Sequence, residues 1–185
     1  MTKLSVNVNK IATIRNARGG NLPDVTQFAI DCQKFGADGI TVHPRPDERH
    51  ITLKDVYSIS EHITTEFNIE GYPDERYMKI IRDLQPAQAT LVPDPPNILT
   101  SNNGWNIEKE MDRLKAIIDQ LHENGTRVSI FVNADEKSVN DAVKTGTDRI
   151  ELYTGPFASQ FGTNPNHAIK GYVNAAKIAG QAGLS

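Results

Sequence analysis

The sequence predicts an α/β protein built on a parallel β-sheet, and three observations support this class. Short β-branched or apolar segments alternate along the chain with segments of helical period. The apolar segments contain few polar residues, as expected for parallel strands that helices cover on both faces. Segments 34–40 and 144–150 share Lys, Gly, Asp and Ile at the same four positions, which indicates a repeated joint from helix to strand. Right-handed crossovers between such units leave two architectures, a barrel or a doubly wound sheet.

The elements are predicted in chain order from their periodicity and their end signals. Apolar runs predict strands at 4–8, 39–43, 67–70, 89–92, 128–132 and 150–153. Val25, Phe28, Ala29 and Cys32 have helical spacing, and Gly36 is expected to end that helix. Thr52 and Asp55 form a predicted capping box at the start of the next helix, and a further helix is expected to start at Pro73 and end at Pro86. The longest helix is predicted from the apolar period between Ile107 and Leu121, with its end at Asn124 and Gly125. A short helix is predicted from Val139 to Val143, and the last helix begins at Ile169.

Composition indicates one globular domain spanning residues 1–185. Hydrophobic residues make up 38% and charged residues 23% of the 185, which is enough for a sizeable core. The net charge of −3 excludes a generally basic binder of nucleic acid or anionic membranes. A single cysteine, Cys32, and the lack of a signal-peptide pattern predict a cytoplasmic protein. No apolar run approaches the roughly 20 residues that span a bilayer, so no membrane association is expected.

Polar side chains follow every predicted strand, and in a parallel barrel these strand ends carry the chemistry. Cations also cluster early in the chain, mainly in a predicted loop after the first strand. Guanidinium groups bind phosphate through paired hydrogen bonds, so these cations favour a phosphorylated ligand. We therefore expect a site for an anionic small molecule. The strand-end residues are Asn7, Asn9, His43, Arg45, Glu70, Asp94, Asn133 and Glu151, and the cations are Lys3, Lys10, Arg15, Arg18, Arg45 and Arg49.

Three of these side chains are candidates for acid–base chemistry. His43 is of a residue type that titrates near neutrality, so it suits a general base or acid. Metal binding is the alternative role, but no second His or Cys stands at a position where it would share a metal with His43. Glu70 interrupts an apolar strand, so partial desolvation is expected to raise its pKa. Glu151 holds the analogous position on the sixth strand, where an ionised carboxylate would stabilise a developing cation. No nucleotide-binding glycine motif and no strand lysine for a Schiff base is present.

These residues resemble the pyridoxine 5′-phosphate synthase family of vitamin B6 biosynthesis, from Leu4 to the end of the chain. The blocks that carry the resemblance are Asn7 with the run 11–19, the run 36–43, the run 45–50, Asn68-Ile69-Glu70, Leu91-Val92-Pro93, the run 128–131 and the run 150–155. The resemblance implies a TIM barrel that condenses 1-deoxy-D-xylulose 5-phosphate with 3-amino-2-oxopropyl phosphate. The products are pyridoxine 5′-phosphate, inorganic phosphate and water, and no metal or organic cofactor is implied.

The resemblance also implies roles for individual residues and an assembly. His43 and Glu70 correspond to proton acceptors and Glu151 to a transition-state stabiliser. Substrate contacts are implied for the aminoketone phosphate at Asn7 and Arg18, and for the xylulose phosphate at Arg45, His50 and Thr100. Thr100 lies in a long predicted loop, 93–106, that is expected to cover the site. The family implies a homo-oligomer, an octamer, with no nucleic-acid or membrane partner.

The sequence departs from the family at two places. Asn9-Lys10 stands where many members have Asp-His, so the xylulose contact there does not transfer, although Lys10 would offer a cation to a phosphate. The family barrel continues through two further strands, whereas this chain stops where a seventh would begin, so six of eight βα units are expected and the 185 residues alone are expected to be inactive. Two other functions stay open from the residues: a barrel isomerase acting on one sugar phosphate, and a phosphosugar-binding scaffold without turnover.

Overall fold

The structure, a computed structural model, describes residues 2–94 and 103–185. It divides into two compact units, Met1–Ala89 and Thr90–Ser185. That all 185 residues form one domain stays a prediction.

Within the described ranges, six parallel strands form one sheet in chain order, and every predicted strand is confirmed to within one or two residues. The strands are β1 Ser5–Asn7, β2 Gly39–Val42, β3 Glu66–Gly71, β4 Gln88–Leu91, β5 Arg127–Val132 and β6 Arg149–Leu152. The order β1-β2-β3-β4-β5-β6 has no reversal. A doubly wound sheet reverses at a switch point, so the uninterrupted order selects the barrel architecture.

The helices account for the remaining regular structure in the described ranges. They are α1 Asn9–Arg18, α2 Val25–Lys34, α3 Leu53–His62, α4 Glu75–Leu84, α5 Ile107–Glu123, α6 Glu136–Val143, α7 Gly155–Phe161, α8 Pro165–Ala168 and α9 Lys170–Gln181. The capping box is confirmed, because the Thr52 side chain accepts from the Asp55 N–H and Asp55 accepts from the Thr52 N–H. The predicted start at Pro73 is wrong: Asp74 caps α4 by accepting from the Tyr77 N–H, so the helix begins at Glu75.

Sequence reasoning missed α1, α7 and α8. The segment after β1 was expected to be a basic loop, but it forms α1, in which only Ala12 is buried. An exposed polar helix has almost no apolar periodicity, so it gives no signal of that kind. The helices α7 and α8 are seven and four residues long, too short to show a period.

The repeated helix-to-strand joint is confirmed and has the same hydrogen bonds in both copies. Gly36 and Gly146 have φ of 99° and 83°, a backbone region that favours glycine. Two residues later an aspartate accepts from the main chain at the start of the preceding strand. These bonds join the Leu4 N–H to Asp38 Oδ2 at 2.8 Å and the Val128 N–H to Asp148 Oδ2 at 2.7 Å.

Strand registers place equivalent residues side by side. Ser5 pairs with Gly39 and Gly39 with Glu66 in the first unit, and Ser129 pairs with Arg149 in the second. Beside Arg149, Ser185 donates its N–H to the Asp148 carbonyl and accepts from the Ile150 N–H at 3.1 Å. Ser185 thus has the hydrogen bonds of a residue that pairs in parallel with β6.

Each unit has a core of aliphatic residues between sheet and helices. All four residues of β2 and all four of β4 are buried, which is the pattern of parallel strands covered on both faces. The fully buried side chains include Ile40, Ile59, Ile69 and Ile81 in the first unit and Leu114, Ile118, Leu121 and Ile130 in the second. Among the described residues we find no helix with the length and apolarity that crossing a membrane requires.

Candidate active site

Asn7 and Asn9 link the ends of the first two strands. Asn7 is the last residue of β1, and its Oδ1 accepts from the Asn9 N–H at 2.9 Å. Asn9 begins α1, and its Oδ1 accepts from the His43 N–H at 2.9 Å. Because that bond fixes the main chain immediately after β2, Asn9 holds His43 rather than pointing away from the protein.

Glu70 meets Asn7 and His43 at the same edge of the sheet. It lies in β3, and its Oε2 is 3.5 Å from Asn7 Nδ2 and 3.9 Å from His43 Nδ1. The second distance is too long for a direct hydrogen bond. The side chains of His43 and Glu70 are only 16% and 13% exposed, so both are largely shielded from water. The structure therefore brings three sequence-predicted site residues within contact of one another.

His43 is neutral at physiological pH. Burial, followed by the nearby positive charges of Arg45 and Arg49 and by His50, lowers its pKa to about 3, although Asp47 opposes the shift. Protonation would place a cation in a poorly hydrated environment that already holds the Arg45 guanidinium. The neutral imidazole keeps a lone pair that can accept a proton, and the lowered pKa makes it a weaker base than free histidine.

Packing behind β3 sets the position of Glu70. A Cβ on Gly71 would lie 2.2 Å from the Tyr77 ring, so only glycine fits there. Tyr77 is buried and donates its hydroxyl to the Ile69 carbonyl at 2.8 Å. The pKa of Tyr77 lies well above its ordinary value because of burial, and then because of the charge of Glu70. Tyr77 thus fixes the two residues that flank Glu70 in β3, Ile69 and Gly71.

Arg45 and His50 lie on the segment after β2. Arg45 is only 6% exposed, and the His50 ring centroid is 6.1 Å from that of His43. His50 Nδ1 accepts from the Ile51 N–H at 2.8 Å, which leaves the proton of the neutral ring on Nε2. Burial, with Arg45 and Arg49 next in effect and Lys10 a smaller one, lowers the His50 pKa to about 4. His50 is therefore a neutral hydrogen-bond donor through Nε2.

Three of the cations expected to bind an anion are instead paired with carboxylates. Arg15 forms a two-bond fork with Asp55, at 2.5 and 2.9 Å. The Arg15 guanidinium is therefore engaged by a carboxylate, while the expected site for an anion among these basic residues stays a prediction. The other two pairs are Lys3 with Asp38 at 3.1 Å and Arg49 with Asp47.

The remaining predicted residues lie in other places. Arg18 is exposed at the end of α1, and Lys10 is exposed in its first turn. Thr100 lies outside the described residues. Glu151 lies in β6 of the second unit, where burial raises its pKa. That direction works against the expectation that Glu151 stays ionised.

In the second unit, the last part of the predicted loop is fixed to the sheet. The buried Trp105 donates Nε1–H to the Leu91 carbonyl at 2.8 Å. Asn133 accepts the Gly104 N–H at 2.9 Å, so its amide oxygen serves the main chain. A Cβ on Gly104 would lie 2.4 Å from the backbone of β5 and Asn133, which requires glycine at this approach. Sequence reasoning assigned Asn133 to the site and missed Trp105.

The described residues contain no group of three or more His, Cys, Asp or Glu side chains placed to hold a metal. The functional contacts that sequence reasoning missed are those of Asn9 with His43 and of Arg15 with Asp55. Asp55 itself is recognisable as a capping residue, but nothing in the sequence pairs it with a residue 40 positions earlier.

The strand order, with polar groups gathered at the carboxyl ends of β1, β2 and β3, defines an α/β-barrel protein with a candidate acid–base site. Residues 4–185 match the model of a family described as "Pyridoxal phosphate biosynthesis protein PdxJ". The chain belongs to this family.

The names of relatives agree with this placement, and a solved structure shares the fold. The chain is 55% identical to a pyridoxine 5′-phosphate synthase of Porphyromonas gingivalis and 52% identical to one of Cytophaga hutchinsonii. Each match covers 100% of this chain and 77% of the relative. A mandelate oxidase structure with (S)-2-phenylpropionate matches with a TM-score of 0.61 at 10% identity, over 97% of this chain and 65% of that one. At that identity the likeness concerns the fold alone.

Proposed function

We propose that this protein is a pyridoxine 5′-phosphate synthase, which condenses 1-deoxy-D-xylulose 5-phosphate with 3-amino-2-oxopropyl phosphate. The products are pyridoxine 5′-phosphate, inorganic phosphate and water. Family membership and the names of relatives at 50–55% identity support this reaction. The observation within the structure that best supports it is the pair of a neutral histidine and a carboxylate, His43 and Glu70, which are largely shielded from water at one edge of the sheet near the buried Arg45.

The chemistry of the two substrates suits this pair. Joining an aminoketone to a ketose requires proton transfers at nitrogen and at carbon next to a carbonyl, and each needs a positioned base. The aminoketone supplies its own amine, so the reaction needs no enzyme lysine. We assign the role of proton acceptor to His43 and Glu70, and stabilisation of the transition state to Glu151. A raised pKa at Glu151 also allows it to act as a proton donor in part of the cycle.

Both substrates carry a phosphate, and the cations near the site offer places for them. Asn7 and Arg18 are proposed for the aminoketone phosphate. Arg45, His50 and Thr100 are proposed for the xylulose phosphate. The exposed Lys10, close enough to His50 to lower its pKa, is a further phosphate-facing cation.

A cytoplasmic location and a symmetric homo-oligomer, an octamer, complete the proposal. Light scattering of the purified protein measures the assembly directly, and a monomeric mass would contradict that part.

The reaction is tested on the full-length protein, because the 185 residues alone are expected to be inactive, by following product with each substrate alone and with both. Product that requires both substrates supports the synthase. Consumption of the sugar phosphate alone would favour an isomerase, and binding of it without turnover would favour a scaffold.

Glu70→Gln tests the site. The change keeps the shape and removes the base, so turnover should fall by roughly 10²-fold or more with unchanged unfolding. The matched control is Glu61→Gln, on the exposed surface of α3. A Glu70→Gln variant as active as this control would contradict the role of Glu70.

A further inference from the structure

A buried ion pair joins α1 to the start of α3. Arg15 Nη1 donates to Asp55 Oδ1 at 2.5 Å and Nη2 to Asp55 Oδ2 at 2.9 Å, and the two side chains are 12% and 11% exposed. Asp55 Oδ2 also accepts from the N–H and the hydroxyl of Thr52, which is the N-cap residue of α3. Burial opposes ionisation of Asp55, but the bonds from Arg15 and Thr52 prevail and lower its pKa. The fork is therefore charged and rigid at neutral pH.

Asn16 extends this pair to the segment that precedes α3. Its Oδ1 accepts from Arg15 Nε and Nη2, both at 3.0 Å, which fixes the orientation of the amide. The amide nitrogen then donates to two main-chain carbonyls, His50 at 2.9 Å and Glu48 at 3.3 Å. Arg15 Nη2 donates to the same His50 carbonyl at 3.2 Å. Two adjacent residues of α1 thus hold the backbone at His50.

The segment they hold includes a residue with an unfavourable backbone conformation. Glu48 has φ of 48°, a left-handed conformation that is unfavourable for a residue other than glycine. Its carbonyl is one of the two that Asn16 binds. Two residues later, the His50 ring is oriented through its own backbone, because Nδ1 accepts from the Ile51 N–H. Any rotation of this main chain therefore moves the Nε2–H of His50.

We propose that Arg15 and Asn16 are positioning residues that aim the Nε2–H of His50 at the xylulose phosphate. They act through the His50 main chain and do not touch a substrate. This proposal rests on the proposed function for the identity of the ligand. It gives Arg15 a role different from the phosphate contact that its position among basic residues suggested.

The first test is Asn16→Ala, which removes both amide donations and leaves the Arg15–Asp55 fork in place. The KM for 1-deoxy-D-xylulose 5-phosphate should rise by roughly tenfold, the scale of about one net hydrogen bond. The KM for the aminoketone phosphate and kcat should change less than about twofold. The control is Asn140→Ala, on the exposed surface of α6.

A double-mutant cycle with His50→Ala decides whether Asn16 acts through His50. Adding Asn16→Ala to the His50→Ala variant should change the xylulose phosphate KM by less than about twofold, because the group being positioned is already gone. A full tenfold effect in that background, or equal rises in both KM values, would overturn the proposal. If Asn16→Ala does not fold, Arg15→Lys serves instead, since it keeps the charge on Asp55 and loses the planar fork.

A measurement without substrate separates this proposal from the proposed function. In the parent protein, nitrogen NMR of the His50 ring should show a neutral ring with the proton on Nε2. In Asn16→Ala the two ring nitrogens should shift toward averaged values. Unchanged His50 signals would overturn the positioning role whether or not the protein is a synthase. Absence of product from the full-length parent protein with both substrates would overturn only the proposed function.

Discussion

Gly71→Ala should destabilise the first unit strongly, because the space for a methyl group is filled by an aromatic ring. The new Cβ would lie 2.2, 2.6 and 3.1 Å from three ring carbons of Tyr77. Carbon atoms settle at about 3.5–4.0 Å, so ring or strand must move by more than roughly 1 Å. Tyr77 has little freedom to do so, since it is 3% exposed and its hydroxyl is bonded to the Ile69 carbonyl at 2.8 Å.

The magnitude follows from the two effects that this movement produces. Overpacking a core typically costs about 1–3 kcal/mol. Pulling the buried hydroxyl away from the Ile69 carbonyl costs about 1–3 kcal/mol more. We therefore expect Gly71→Ala to lower the free energy of unfolding by about 4 kcal/mol. Because Glu70 is the preceding residue in β3, turnover should fall as well.

The assay is equilibrium unfolding in urea, with Gly162→Ala as the matched control. Gly162 has φ of −65°, and a Cβ there would meet no described atom within 4 Å. The control should be neutral or stabilising by up to ~1 kcal/mol. In a Tyr77→Ala background the Gly71→Ala change should cost less than about 1 kcal/mol, since the ring that it strikes is gone. A loss below about 1 kcal/mol in the parent background would refute the reasoning.

Two further predictions concern charge. The pKa values of His43 and His50 are lowered to about 3 and about 4, so the unfolded chain binds more protons below about pH 6.5, where free histidine titrates. The free energy of unfolding should therefore fall as the pH drops from about 6.5 toward 4.5, by ~1.4 kcal/mol per pH unit for each histidine ring. Urea titrations at several pH values measure this slope, and His43→Gln should remove about half of it. Arg18→Ala should weaken binding of the aminoketone phosphate by roughly tenfold and leave binding of its dephosphorylated analogue unchanged in calorimetry, because a charge-assisted bond is lost.

Each of these predictions has a clear contrary result. Equal pH slopes in the parent and in His43→Gln would mean that His43 is protonated in the folded protein. For the phosphate contact, the control is Arg82→Ala, an exposed arginine of α4. Equal weakening of both ligands by Arg18→Ala would assign Arg18 to structure rather than to phosphate binding.

The sequence by itself determined the strands, most helix ends and the residues at the strand ends. Parallel strands covered on both faces are continuous apolar runs, so β2 to β6 are visible without any tertiary information. Capping is equally local, because Thr52 and Asp55 are three residues apart and satisfy each other within one turn. The motif blocks around His43 and Glu70 also sufficed to recognise the family that the comparisons show.

Only the tertiary structure decided which charged groups remain available for chemistry. Arg15 and Arg18 are equivalent basic residues in the sequence, but Arg15 is paired with an aspartate 40 residues away and Arg18 is exposed. The direction and size of the His43 pKa shift have the same origin, since they depend on burial and on charges that other segments bring close. Local propensity acts over a few residues, whereas ion pairing and desolvation depend on distances that exist only after the chain has folded.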